Sequence, residues 1–307
     1  MLLSGIQGSS GKSYQFATKE KNASASAPAG DSFQASSNDT QAYILMPPKN
    51  TGLFKMAEGL DRVQQVENTG GEVKAELKIV GGYVASLNGK QAEQLEKQGW
   101  KVVPDEVDQF LPPVPGLDLN EEAPEGAASG EAPQEKPVEK FEPRKKLEAP
   151  RFSDPFVDKF QGEGIGVAIL DTGIYPHPDF VTPYNRLVAF VDMVEGRSIP
   201  YDDNGHGTHC AGDAAGSGLM SGGLYRGLAP KANLIGVKVL GANGSGKTSD
   251  IIKGLEWCIE HKDEVNLKVI NMSLGHKAKK KYEEDPVDAG QCGIELGGVL
   301  KIQRPLV

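Results

Sequence analysis

The chain has 307 residues, room for two domains or for one domain with long tails. No apolar run approaches the roughly 18 residues of a membrane-spanning helix, which excludes such a span, and a net charge of -9 argues against a nucleic-acid surface running along the chain. Three cysteines, an odd number, cannot form a fully paired disulfide framework, so the cysteines leave the compartment open.

Residues 1–41 are rich in Ser, Ala, Lys and Asn and poor in apolar side chains, the composition of a disordered arm. After Met1-Leu2-Leu3 the chain turns to Ser, Gly and Gln, so no secretory signal is visible, and export and an intracellular site both stay open. Residues 42–111 have the texture of a small folded unit. Tyr43 to Met46 reads as a strand, and Leu53, Met56, Leu60, Val63 and Val66 recur at helical spacing. Leu77 to Val80 and Tyr83 to Leu87 read as a hairpin around Gly81-Gly82, followed by a helix at Gln91 to Gln98 and a strand at Trp100 to Val103. Strand, helix, strand, strand, helix, strand is the order of a small α+β, ferredoxin-like sandwich. Its core is marginal by itself and would gain from a partner surface. Residues 112–150 are Pro-rich and of mixed, largely acidic charge, which suits an extended linker.

Residues 151–307 change to the pattern of an α/β domain, a parallel sheet flanked by helices. Strands are expected at Gly166 to Leu170, Leu187 to Val191, Asn233 to Leu240 and Val269 to Leu274. A helix carrying Ile251, Leu255, Cys258 and Ile259 on one face begins after the cap-like Ser249-Asp250. In such sheets, function gathers at the carboxyl ends of the strands. Asp171 lies at one of these ends, and on its own it could be a turn or cap aspartate. His206 stands between two glycines in Asp203 to Gly212, where the backbone can pack tightly and leave one face of the imidazole open. Imidazole is the side chain that takes and returns protons near neutrality. His206 and His209 could instead share a metal, but no further cluster of Cys, His or Glu ligands stands nearby in sequence.

Asp171-Thr172-Gly173 after an apolar strand, then Gly205-His206-Gly207-Thr208-His209-Cys210-Ala211-Gly212, then Ile270-Asn271-Met272-Ser273-Leu274-Gly275, in that order, resemble the subtilisin-like serine protease family. The likeness runs from about 164 to 275, and the match is expected to end near 287. The resemblance implies serine endopeptidase chemistry on protein or peptide substrates. Asp171 would orient the imidazole, His206 would be the general base, and Ser273, Leu274 and Gly275 would form the edge that pairs with substrate backbone. It further implies a structural His209 and a packed free thiol at Cys210 beneath His206; Cys258, on the apolar face of its helix, reads as a core thiol. No cofactor is called for, although an aspartate at the position of Asp179 can bind calcium in the family; the loop that supplies its other ligands has no counterpart after Gly212. The unit at 42–111 would be an intramolecular propeptide, and the family expectation is secretion.

The resemblance also exposes a gap. The family places its nucleophile in a Gly-Thr-Ser-x-Ala segment and its oxyanion-hole asparagine in a later block; neither occurs, and no serine follows Ser273. This chain is therefore expected to be inactive as it stands. Ala289 to Val307 shows no helical or strand periodicity, so a reading-frame shift near Asp288 or a truncation is one expectation, with the sheet edge near Leu274 left uncovered. Two other readings remain. One is a non-catalytic inhibitor or folding module acting through the small unit. The other is a nucleotide binder, because Gly241 to Thr248 formally matches a phosphate-binding loop between a strand and a helix, although no later strand ends in an aspartate for magnesium.

Overall fold

The computed structural model describes residues 39–48, 58–112, 159–276, 285–287 and 300–303. The helical positions Leu53 and Met56, most of the arm and the linker beyond Pro112 lie outside the described residues.

The first unit contains β1 (Gln41–Met46), α1 (Glu58–Asn68), β2 (Glu72–Leu77), β3 (Gly82–Leu87), α2 (Gly89–Lys97) and β4 (Lys101–Pro104). Its sheet is antiparallel, in the order β2-β3-β1-β4. A capping box opens α2: the Asn88 side chain accepts from the Gln91 amide at 3.0 Å, and the Gln91 side chain accepts from the Asn88 amide at 2.8 Å. The hairpin differs from the expected one. Its first strand is Glu72–Leu77, and Lys78–Val80 is a 3-10 turn closed by Gly81 at φ 61°. Charged residues in Glu72–Leu77 hide the strand, while Ile79 packs against the second unit's core and Val80 against the cluster of Ile44, Met46, Leu77, Val84 and Ile252.

Strand β1 is apolar without alternation because both of its faces are covered. Tyr43 and Leu45 pack with Val66, Leu95 and Trp100 of the unit itself. Ile44 and Met46 pack with Leu77, Val84 and Ile252, the last contributed by the second unit. The marginal core thus gains the partner surface that its size requires.

The second unit holds five parallel strands: β6 (Gly166–Asp171), β7 (Leu187–Asp192), β8 (Asn233–Lys238), β10 (Leu267–Met272) and β11 (Leu300–Gln303). Their order is β11-β10-β6-β8-β7. Helices α3 (Pro178–Val181), α4 (His206–Ala215) and α5 (Thr248–Glu260) accompany them. Along β6 the core alternates: Val167 and Ile169 pack with Phe180, Ala211 and Leu234, and Ala168 and Leu170 with Ile235, Ile251, Leu255 and Cys258. The parallel sheet flanked by helices is the fold class expected from the sequence.

Three local expectations are corrected. Residues 300–303, read as lacking strand periodicity, pair in parallel with Val269–Met272, so β10 is not an uncovered edge along those residues; four residues are too few for periodicity to reveal. Strand β10 ends at Met272, and Ser273 to Gly275 lie beyond the ladder. Ser249 and Asp250 lie inside α5, and the N-cap position, Lys247, makes no side-chain cap. Finally, β5 (Val107–Gln109) leaves the first unit and pairs antiparallel with β9 (Ser245–Lys247) of the second. Among the described residues, no helix is long and apolar enough to cross a membrane.

Candidate active site

The strand order reverses around β6: β7 and β8 lie to one side of it, β10 and β11 to the other. Open α/β sheets bind ligands in the crevice at this kind of switch point, outside the strands' carboxyl ends. Asp171, the last residue of β6, is fully buried there. Its carboxylate accepts from the Thr172 amide at 2.7 Å, and its two oxygens lie 2.8 and 2.9 Å from His206 Nδ1. His206 is the first residue of α4 and remains part-exposed, with a carboxylate behind it and an accessible edge in front. The hydrogen bond to Asp171 pulls the imidazole pKa well above its ordinary 6.5; a contact with Cys210 adds to this, and burial opposes it.

Glycine is required at position 207 because α4 approaches β6 so closely. A Cβ there would lie 2.2 Å from the Gly173 carbonyl oxygen and 3.1 Å from Asp171 Cβ. The start of α4 has no cap from Gly205, which is left-handed at φ 97°. Asp202 takes over. Its carboxylate accepts from the amides of Asn204, Gly205 and Thr208 at 2.9 to 3.1 Å, and from the hydroxyls of Thr172 and Thr208. Burial pushes the Asp202 carboxyl up, but these bonds outweigh it and hold the group below the usual carboxylate range. Thr172 Oγ1 in turn accepts from the Gly207 amide at 3.0 Å, tying the Asp171 turn to the His206 helix. Sequence reasoning missed Asp202; the available signal was an acidic residue four positions ahead of a helix-starting histidine.

Lys238, at the end of β8 and fully buried, braces the same turn. Its ammonium donates to the carbonyls of Thr172 and Leu240 at 2.7 and 2.8 Å and to Asp203 at 2.7 Å. Cys210 Sγ lies 3.8 Å from His206 Nδ1, beneath the ring as expected. Cys258 is buried in the core, and burial pushes its thiol up to about 12. The expectation for His209 is corrected. Its side chain is 76% exposed and lies 3.9 Å from Asp213, because the stripe of α4 that faces the sheet is Gly207, Ala211 and Ala215.

Ser273, Leu274 and Gly275 follow β10, at the same edge of the sheet. Leu274 is buried in the core, Ser273 accepts from the Asn271 side chain at 3.0 Å, and the Gly275 amide donates to the Phe110 carbonyl at 3.2 Å. On the other side, the amides of Phe110 and Leu111 both donate to the Gly244 carbonyl at 3.1 Å. The segment from Val107 to Leu111 therefore lies as an extended strand between the loops that follow β8 and β10. Gly244, at φ 76°, makes room for it: a Cβ there would come within 2.8 Å of Leu111 Cβ. The Gly-rich 241–248 segment thus meets a peptide backbone, and the amide of Ser249, where a phosphate-binding loop would direct its N–H groups at an anion, donates to the Asp105 carboxylate at 3.0 Å.

Calcium needs about six to eight oxygen ligands. Asp179 Oδ1 accepts from the Met220 amide at 2.9 Å, and His177 Nδ1, which accepts from the Asp179 amide at 3.2 Å, lies 3.9 Å from the same carboxylate. Among the described residues, the one cluster of three potential ligands is Asp171, His206 and Cys210, a mixed oxygen, nitrogen and sulfur set that does not suit calcium.

Residues 162–296 match the model of the Subtilase family. The chain is 53% identical over 131 residues to serine protease AprX of Bacillus subtilis, covering 41% of this chain and 29% of that protein. It is 41% identical over 138 residues to a thermostable alkaline protease of Halalkalibacterium halodurans, covering 45% and 35%, and 41% identical over 128 residues to subtilisin Savinase of Lederbergia lenta, covering 42% and 44%. The chain thus spans less than half the length of these relatives. The three blocks of sequence and the crevice at the end of β6 fall within the one stretch, residues 162–296, that matches the Subtilase family model.

Proposed function

We propose that this chain carries the Asp–His half of a serine endopeptidase site, and that residues 42–111 are its own occluding propeptide. The observation that carries this reading is the path of Val107 to Leu111, gripped by Gly244 on one side and Gly275 on the other in the manner of a bound peptide. A groove that holds one extended strand by its main chain suits protein substrates of varied sequence. In hydrolysis, a serine hydroxyl adds to the peptide carbonyl carbon while His206 takes its proton and Asp171 holds the ring; His206 returns the proton to the departing amine, and a water, deprotonated by the same imidazole, then displaces the acyl group from the serine oxygen, which regains the proton.

The hydroxyl has to come from outside residues 274–307, which contain no serine. Next to the His206 helix, a hollow of about 950 Å³ is lined by His177, Thr208, His209 and Tyr225, among others. Leu224, Tyr225 and Leu228 are exposed nearby, an apolar face against which the remaining part of a subtilase domain would pack.

The chain alone is expected to show no peptidase activity. Refolding it with a polypeptide that carries the remaining, serine-bearing part of a subtilase domain is the test. Hydrolysis that depends on His206 and Asp171 supports the proposal, and hydrolysis unaffected by His206→Ala defeats it. The occluding role is tested by adding the chain to an active subtilase: slow, tight inhibition that fades when residues 107–112 are removed is expected.

A further inference from the structure

The groove that holds Val107 to Leu111 contains a second histidine–carboxylate pair, distinct from Asp171 and His206. His276 Nε2 lies 3.3 Å from Asp285 Oδ2, and both side chains are 15% exposed. The imidazole meets the Phe110 ring edge to face, with centroids 5.3 Å apart and planes at 88°. Asp285 is itself held, since its Oδ1 accepts from the Val287 amide at 2.8 Å. The His276 ring is therefore oriented from behind by a fixed carboxylate and faces the side chain of the gripped strand.

The geometry points to His276, positioned by Asp285, as a specificity-determining residue: it makes the subsite that receives the Phe110 side chain prefer an aromatic ring over an aliphatic one of similar bulk. This inference rests on the reading that residues 107–111 lie in the substrate groove. The Phe110 backbone is pinned on both sides, its amide to Gly244 and its carbonyl to Gly275, so its side chain has little freedom to choose another direction. His276 follows Gly275 directly, and the main-chain bond that positions the peptide thereby also sets the imidazole beside the incoming ring. Phe110 shares its buried cluster with Leu240, Ile251 and Leu274, whose aliphatic side chains treat any apolar side chain of the right volume alike. Edge-to-face aromatic pairs gain about 0.5–1.5 kcal/mol beyond buried area, or roughly 2- to 12-fold in an equilibrium.

The test is a double-mutant cycle in the full chain, read by amide hydrogen exchange. The amides of Phe110, Leu111 and Gly275 report opening of the gripped strand. Phe110→Leu is expected to raise opening about fivefold more in the native background than in His276→Gln, which keeps a hydrogen bond to Asp285 but has no ring. His276→Phe, which keeps a ring, is expected to restore most of the preference and guards against a general loss of folding in the first variant. An equal effect of Phe110→Leu in all three backgrounds overturns the assignment of His276 while leaving the groove reading intact. Unprotected amides at Phe110, Leu111 and Gly275 in the native chain overturn the groove reading, and the assignment with it.

Discussion

The carboxylate of Asp105 accepts two hydrogen bonds from Ser249, one from its amide at 3.0 Å and one from its hydroxyl at 2.6 Å. The two residues are 144 positions apart, and the bond gives α5 the N-terminal cap that its own sequence lacks. The same helix accepts the Ile79 amide on Glu256 at 3.0 Å and buries Ile252 under the first unit's sheet. One helix therefore carries the junction between the two units. Asp105→Ala should lower stability by about 1 kcal/mol, within the range known for caps. Adding Ser249→Ala should cost little more, because the partner is already lost. Urea denaturation measures both, and an unchanged midpoint for Asp105→Ala would show that the cap contributes nothing.

The pairing of His206 with Asp171 makes a titration prediction. Because the folded-state pKa is raised above 6.5, the contribution of the protonated imidazole to stability is complete below about pH 6.5 and is lost as pH rises through the folded-state value. The chain should become less stable with rising pH in that window. Asp171→Asn should bring the His206 titration, followed by NMR, back toward 6.5 and flatten the slope. A His206 that titrates normally in the native chain contradicts the pairing.

Two glycines on α4 should respond in opposite directions to the same change. Gly207→Ala places a methyl 2.2 Å from the Gly173 oxygen and should cost about 1–3 kcal/mol through overpacking. Gly212→Ala meets nothing within 4 Å and should gain about 0.5–1 kcal/mol of helix stability. Thermal unfolding of the two variants side by side separates close approach from helix propensity; equal shifts would mean that α4 does not sit against the Asp171 turn.

Lys238→Met should be among the costlier single changes near the site. It removes bonds to two main-chain carbonyls and to Asp203 and leaves those carbonyls unpaired, a loss of about 2–3 kcal/mol because the part-exposed Asp203 can regain water. The Asp171 turn would loosen, so the upward displacement of the His206 titration should shrink in this variant. Denaturation and histidine NMR check the two effects separately, and a native titration would confine Lys238 to a purely structural role.

Much of this protein is legible before folding is considered. The period-2 and near-continuous apolar runs mark β1, β3 and most of the parallel strands, because a buried strand has to be apolar wherever it meets the core. The blocks around Asp171 and His206 are legible for a related reason: close backbone approach demands glycine at 207, and proton transfer near neutrality favours imidazole. Strand β2 was hidden because one of its faces is wet and charged, and β11 because four residues carry too little pattern. The positions of His209 and Asp202 depended on the rotation of α4 against the sheet, and no local rule supplies that rotation.

By itself, the amino-acid sequence marked most of the apolar strands, which rest on local periodicity, while the pairing of Asp171 with His206 was implied by the resemblance of their blocks to the subtilisin-like family. Only the tertiary structure decided that Asp105 caps a helix of the other unit, that β1 is buried on both faces, and that Phe110 lies between Gly244 and Gly275 against His276. Apart from the β1 face that packs within its own unit, these contacts join residues more than a hundred positions apart. Such partners are chosen by the shape and hydrogen-bonding needs of surfaces that exist only once each unit has folded.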